Sequence, residues 1–228
     1  IIEIMAGNMI VDFHSHILPD TDDGSTDIHM TMEHMKQAYK AGIDFIVATP
    51  HFYPHKDTME QFLKKRDSRV DIINTIEDTI PLIKGAEVLL CENIHKMERI
   101  SDLCIENTNT ILVEMPFSDN WSEKLIETLI GLRDCCKLNV IIAHADRYRF
   151  SQVAKLTNLG FEVQLNADSI CNTIKWHTCK KYLKSGNVAA IGSDIHRDSK
   201  SYIRFKRAVR KLKKYPYIFE KSAELAGK

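Results

Sequence analysis

Apolar positions along this chain fall into two alternating rhythms. Short runs rich in β-branched residues recur at 10–14, 44–49, 82–90, 110–114, 139–143, 162–166 and 187–192. Runs of that length and composition read as strands. Between them lie longer stretches whose apolar residues sit three and four apart, the helical period. This spacing predicts helices over 57–78, 120–137, 169–184, 201–214 and 217–226. An earlier helix is capped by Thr26 or Asp27 and stopped at Gly42, and Ser185-Gly186 is the matching stop after 169–184.

About seven βα units predict an α/β fold with a parallel sheet, either closed as a barrel or left open and doubly wound. The length of 228 residues suits one hydrophobic core, and no repeat or Pro/Gly-rich linker marks a boundary. Strong patterning begins at Met9. We therefore expect one domain over 9–228, with 1–8 as a leader or expression remnant.

Composition narrows the function. Apolar residues at 44% and charged residues at 27% fit a folded globular chain. Equal numbers of basic and acidic residues, 31 each, argue against a protein whose main task is gripping nucleic acid. The run 204–214 does carry seven Lys or Arg, interleaved with apolar residues. That interleaving suits an amphipathic surface helix; a docking face for an acidic tail or a membrane surface is the sharper alternative. Six cysteines lack C-x-x-C pairing, and no apolar run approaches the ~20 residues of a membrane span. A reduced, cytoplasmic protein that does not span a membrane is expected.

The polar residues decide between the open and closed forms. The first strand runs into His14 and His16, which extended backbone turns to one side. The second leads to His51, the third contains Glu87, the fourth closes on Glu114, the fifth on His144, and the seventh on Asp194 and His196. Asp22 and Asp23 follow the first strand. One His at a strand end is more often structural than a ligand. Six strand ends out of seven carrying such residues point instead to one rim, the rim where barrel enzymes hold their chemistry. Nine candidates (His14, His16, Asp23, His51, Glu87, Glu114, His144, Asp194, His196) suffice for two or three divalent ions, and the mixed imidazole and carboxylate set suits manganese, iron or zinc. Clustered divalent ions suit phosphate ester hydrolysis through a bridging hydroxide. Arg147 either reaches back to hold a phosphate or pairs on the surface with Asp146.

The segment Met9-Ile-Val-Asp-Phe-His-Ser-His-Ile-Leu-Pro with Asp22-Asp23-Gly24 resembles the opening of the polymerase and histidinol phosphatase (PHP) superfamily. More narrowly, it is similar to the manganese-dependent protein tyrosine phosphatases of capsule and exopolysaccharide operons, the CpsB/YwqE type. Ala48-Thr-Pro-His51, Gly85-Ala-Glu87, His144-Ala-Asp-Arg-Tyr148 and Gly192-Ser-Asp-Ile-His196 continue the resemblance in order. It implies a distorted (β/α)7 barrel and three ions: one on His14, His16, Glu87 and Asp194; one on Glu87, Glu114 and His144; one on Asp23, His51 and His196. It implies Arg147 as the phosphate-binding arginine; for such a reaction, proton help to the leaving group is expected from His51, His196 or a metal-bound water. The implied partner is a phosphotyrosine protein, the tyrosine-rich tail of a capsule-assembly autokinase. A second arginine common in such proteins is not obvious here, where Arg197 and Lys200 are the candidates.

Other activities fare less well. Cysteine-based tyrosine phosphatases need Arg six places after the nucleophile, and here those places hold Met97, Thr110, Ile141, Ile142, His177 and Ser185. A histidinol-phosphate phosphatase or other small-molecule phosphoesterase is the nearest alternative. A catalytically silent binding module is the alternative of another class. An amidohydrolase would place a carbamylated Lys after the fourth strand, where Glu114-Met-Pro stands. His29, His34, His55, His95 and His177 are expected to be structural or surface residues.

Overall fold

The computed structural model describes residues 9–118, 120–198 and 200–228, so the expectation for residues 1–8 lies outside the described residues. Among the described residues nine parallel strands run in chain order: β1 (Val11–Ser15), β2 (Phe45–Ala48), β3 (His51–Phe52), β4 (Leu82–Lys84), β5 (Glu87–Leu89), β6 (Thr110–Glu114), β7 (Asn139–Ile142), β8 (Glu162–Asn166) and β9 (Val188–Gly192). They pair as β1-β2-β4 and as β3-β5-β6-β7-β8-β9. The two sheets are one sequence of seven strand positions, because β2 and β3 are halves of one interrupted strand, as are β4 and β5.

The interruptions have a physical cause. Pro50 has no N–H to give the ladder. The ladder resumes across the gap through Gly85 N–H to the Ala48 carbonyl at 3.0 Å and Glu87 N–H to the Pro50 carbonyl at 3.1 Å. The buried Arg66 takes up the Gly85 carbonyl at 3.3 Å. At the other end β9 returns to β1 through a parallel bridge between Ser15 and Ile195. Asp12, fully buried, secures that return by accepting from the Ser193 N–H (2.7 Å) and hydroxyl (2.6 Å). The result is the distorted seven-position barrel expected.

Helices cover the outside: α1 (Ile28–Ala41), α2 (Met59–Asn74), α3 (Glu123–Asp134), α4 (Phe150–Asn158), α5 (Ala167–Cys171), α6 (Lys175–Ser185), α7 (Ser201–Lys211) and α8 (Tyr217–Leu225). Their ends follow local chemistry. Asp27 caps α1 by accepting the Met30 N–H, Thr58 caps α2 and Ser122 caps α3; Gly42 ends α1 in the left-handed region, φ 82°. Three expectations change. The helix α4 was not read from sequence: it follows directly on Arg149, which makes no side-chain cap, and buries only Gln152, Val153 and Leu156. The stretch 169–184 is broken into α5 and α6. Between β5 and β6 the crossover holds only two short 3-10 turns, Ile94–Lys96 and Ile100–Leu103. The basic run forms α7, with Phe205, Ala208 and Leu212 buried and Arg207, Arg210 and Lys211 exposed, as an amphipathic surface helix requires.

One apolar cluster fills the space between strands and helices. A second, inside the strands, contains Val11, Phe13, Val47, Ile83, Leu112, Ile141 and Ala189, with Ala223 and Leu225 of α8 packed against it. Two residues beyond Leu112, on the same side of β6, stands Glu114. The barrel interior thus changes from apolar to ionisable towards the C-terminal ends of the strands.

Candidate metal centre

The strand ends bring four imidazoles around the Glu87 carboxylate. Its Oε2 lies 2.9 Å from His51 Nδ1, 3.1 Å from His16 Nε2 and 3.2 Å from His14 Nε2. Its Oε1 lies 2.7 Å from His144 Nε2, which is 3.6 Å from Glu114 Oε1. Asp194 Oδ1 is 3.7 Å from His14 Nε2 and 3.6 Å from both His16 Nε2 and His196 Nδ1. Asp23 Oδ1 closes the outer side, 3.5 Å from His51 Nε2 and 3.3 Å from His196 Nε2. All nine residues expected at the rim are therefore brought together.

Neighbouring groups fix which ring nitrogens face inward. His16 Nδ1 is 2.6 Å from the Asp22 carboxylate, which only accepts, so Nδ1 carries the hydrogen. His14 Nδ1 is 3.1 Å from Gln164 Oε1, whose amide is oriented by donating to Asn166 Oδ1 at 2.9 Å. In the neutral rings both Nε2 atoms then present lone pairs, and they face each other at 3.1 Å. Glu87 Oε2 stands beside them, buried, near three imidazoles yet in hydrogen-bond geometry with none. Lone pairs converging in a buried space demand a positive charge.

Protonation equilibria express the same demand. Burial alone would raise the Glu87 carboxyl pKa, yet the surrounding imidazoles hold it well below the usual range. Burial alone would lower His16, yet Asp22 and Glu87 raise it well above its ordinary value. His144 is likewise lowered by burial but carried up to about 9 by Glu114 and Glu87. The donor set fits divalent ions, which would supply that charge without protons. Among the described residues three groups have ligand atoms all within 4.8 Å of one another: His16, Asp23, His51 and His196; His14, His16 and Asp194; and His51, Glu87 and Glu114. His16 and His51 thus each stand between two groups, whereas the resemblance assigns each to one ion.

Residues 10–220 match the family described as capsular polysaccharide synthesis, CpsB/CapC. The chain belongs to the CpsB/CapC family. It is 26% identical over 209 residues to the tyrosine-protein phosphatase CpsB of Streptococcus pneumoniae, covering 82% of this chain and 83% of that one. It is 30% identical over 224 residues to a putative tyrosine-protein phosphatase CapC of Staphylococcus aureus, covering 90% and 85%. Among solved structures, it superposes with TM-score 0.81 and 22% identity on one from work on YwqE of Bacillus subtilis and CpsB of S. pneumoniae, described as unique metal-dependent tyrosine phosphatases, covering 95% and 94%. A TatD family hydrolase from Entamoeba histolytica shares the fold more distantly, at TM-score 0.57 and 9% identity.

The close spacing of this CpsB/CapC site rests on two glycines. A Cβ on Gly24 would lie 2.0 Å from the His16 carbonyl oxygen, and one on Gly192 would lie 2.5 Å from His14 Cβ. Only glycine lets the Asp22-Asp23-Gly24 loop fold back on His16. His144 (φ 30°) and Asp194 (φ 50°) occupy the left-handed region at their strand ends, a sparsely populated conformation that re-aims each side chain.

Arg147 pairs with Asp194, not with its neighbour Asp146. Asp146 instead accepts from the Asn166 N–H (2.7 Å) and the Ser169 hydroxyl (2.6 Å). Arg197 and Lys200 are exposed, and Lys200 lines a separate depression with Lys40 and Lys206. His29, His34, His55, His95 and His177 belong to none of the three metal-type groups. Sequence reasoning missed Gln164 and Asn166. They sit on β8, the one of the seven strand positions that contributes none of the nine candidate ligands, and an amide there gave no such signal. Gln164 Oε1 also accepts the His144 N–H at 2.6 Å, and Asn166 Nδ2 donates to Asp194 at 2.7 Å.

Proposed function

We propose that this chain is a metal-dependent phosphatase that hydrolyses phosphotyrosine side chains of proteins. The observation that carries the reading is the buried array of inward-facing lone pairs on His14, His16 and Glu87 with an arginine at its edge. Family membership and the names of the curated relatives support the substrate class. We assign His14, His16, Glu87 and Asp194 to one ion, Glu87, Glu114 and His144 to a second, and Asp23, His51 and His196 to a third, with manganese as the expected metal. Bound there, such ions would lower the pKa of water towards neutrality and offset phosphoryl charge.

The protein's own groups do the rest. Arg147 swings its planar guanidinium from Asp194 to two phosphoryl oxygens, a bidentate grip suited to the fork of the side chain. Gln164, Asp22 and Asn166 hold His14, His16 and Asp194 in their working orientations. His51 and His196, with side chains 11% and 29% exposed, face the opening more than His14, His16 and His144 do. They stand where a proton is handed to the leaving oxygen. A phenolate leaving group, of pKa about 10, needs little such help.

The partner we propose is the tyrosine-rich tail of a capsule-assembly autokinase, met in the cytoplasm. Six free thiols, with Cys104 and Cys179 buried, suit a reducing compartment. None of the helices in the described residues is long and apolar enough to cross a membrane. The test is manganese-stimulated hydrolysis of a phosphotyrosyl peptide beside histidinol phosphate, with a chelator control and His144→Ala. Preference for the peptide, lost with chelator and in the variant, is expected. Preference for histidinol phosphate would replace the substrate, and turnover of neither would overturn the phosphatase reading.

A further inference from the structure

Among the described residues three aromatic rings border the imidazole cluster: Tyr53 at His51, and Phe117 and the buried Tyr148 at His144. Tyr53 stacks on His51, centroids 4.9 Å apart and planes 21° apart. The Lys56 ammonium lies over the same ring, 4.6 Å from its centroid. Tyr53 therefore has neighbours on its ring that a ligand would have to displace. Phe117 is different. It stands beyond the end of β6, three residues after Glu114, nearly parallel to His144 at 12° with centroids 6.0 Å apart. It is 65% exposed. A phenylalanine so exposed leaves unmade most of a burial worth roughly 1.5–3 kcal/mol when complete.

The loop holding Phe117 is not slack. Tyr148 Oη donates to the Met115 carbonyl (2.9 Å) and accepts the Met115 N–H (3.0 Å). Burial pushes the Tyr148 hydroxyl pKa up, which keeps this two-way bond intact across the neutral range. Trp121 Nε1 donates to the Pro116 carbonyl at 2.9 Å, and its indole packs edge-on against Tyr148. Tyr148 in turn backs the Phe117 ring at 5.5 Å. On the other side Gln152 Nε2 donates to the Ser118 carbonyl at 3.2 Å, so the ring projects from a backbone held before and after it, a preorganised surface. It borders a cavity of about 430 Å³ with Ser118, Arg147, Tyr148, Arg149 and Gln152 as fellow lining residues, a volume in the range of small-molecule sites. One wall is then the arginine assigned to the phosphoryl group, and another is an exposed aromatic face.

We infer that Phe117 is the platform on which the aromatic ring of an aryl phosphate rests while Arg147 holds the phosphoryl group. This deepens the phosphatase reading and rests on it: the cluster and Arg147 set the reaction, and Phe117 selects phosphotyrosine over phosphoserine. Aromatic pairs favour offset or edge-on packing and add affinity beyond the area they bury. An alkyl phosphate reaches the same arginine but leaves the Phe117 face uncovered.

The test is calorimetric binding of phenylphosphonate and methylphosphonate, which are not hydrolysed, to manganese-loaded wild type, Phe117→Ala and Phe117→Trp. Phe117→Ala should weaken phenylphosphonate by about three- to tenfold and leave methylphosphonate unchanged, while Phe117→Trp keeps the preference. An unchanged phenyl-to-methyl ratio in Phe117→Ala would overturn the inference. So would equal loss for both ligands, which would make the ring a mere support for the loop. Phosphotyrosyl-peptide turnover by the wild type is measured beside these titrations. Its absence would sink the phosphatase reading alone, since the binding preference is read without turnover.

Discussion

Gln164→Leu removes one amide at nearly constant volume and isolates the role of a residue that is neither charged nor a metal ligand. The side chain is fully buried. Its Oε1 accepts the His144 N–H at 2.6 Å and faces His14 Nδ1 at 3.1 Å. Leucine leaves both donors without a partner where water cannot follow. Each buried unsatisfied donor costs about 1–3 kcal/mol, so the pair amounts to roughly 2–4 kcal/mol after partial relaxation, a large share of a typical 5–15 kcal/mol. A second effect concerns the metal. Without the amide, His14 is free to move its hydrogen to Nε2, where a ligand needs a lone pair, and losing such a partner lowers metal affinity by about 10–100-fold. Urea unfolding in chelator reads the first effect, and manganese competition against a fluorescent chelator reads the second. Gln164→Glu keeps an acceptor for both donors and should recover most of the affinity. Manganese affinity in Gln164→Leu within threefold of wild type would refute the argument.

Other predictions follow from the same geometry. Arg147→Ala should lower kcat/KM on a phosphotyrosyl peptide by about 10–150-fold, the worth of a charge-assisted hydrogen bond at 1.5–3 kcal/mol, with Arg147→Lys recovering only part; a change under threefold in steady-state kinetics would remove Arg147 from the site. Gly24→Ala should destabilise by about 1–3 kcal/mol through overpacking against His16 and weaken manganese binding, and full metal affinity in a folded variant would contradict the close approach. His34, buried with its Nδ1 3.2 Å from the Ser25 hydroxyl, has its pKa lowered by burial, against the raising effect of Glu33 and Asp198. The unfolded chain therefore binds the proton more readily, so stability is full above the unfolded value near 6.5 and falls as pH drops below it. The wild-type loss of Tm between pH 7.5 and 5.5 should exceed that of His34→Gln, and equal losses would show that His34 is not the group concerned.

Much of this was legible in the chain itself, for reasons of period. A short apolar, β-branched run such as Thr110 to Glu114 marks a strand whatever surrounds it, and Asp27 and Gly42 mark helix ends through purely local bonds. The regular return of His, Asp or Glu at strand ends is enough to locate the rim. What the chain could not express was how long-range pairing divides those strands: Pro50 breaks one, and its partner breaks at Gly85 because the ladder must stay in register. Nor could it show α4, which lacks a side-chain cap and buries a single short stripe. Gln164 and Asn166 carry no motif, since an amide in a strand becomes meaningful only when residues 20 to 150 positions away arrive beside it, and Asp12, though inside the opening motif, shows its role only when Ser193 arrives 181 positions later. The inward lone pairs of His14 and His16 are likewise a tertiary fact. Local sequence supplied the imidazoles, and the barrel's closure, through Asp22 and Gln164, chose which nitrogen of each faces the centre.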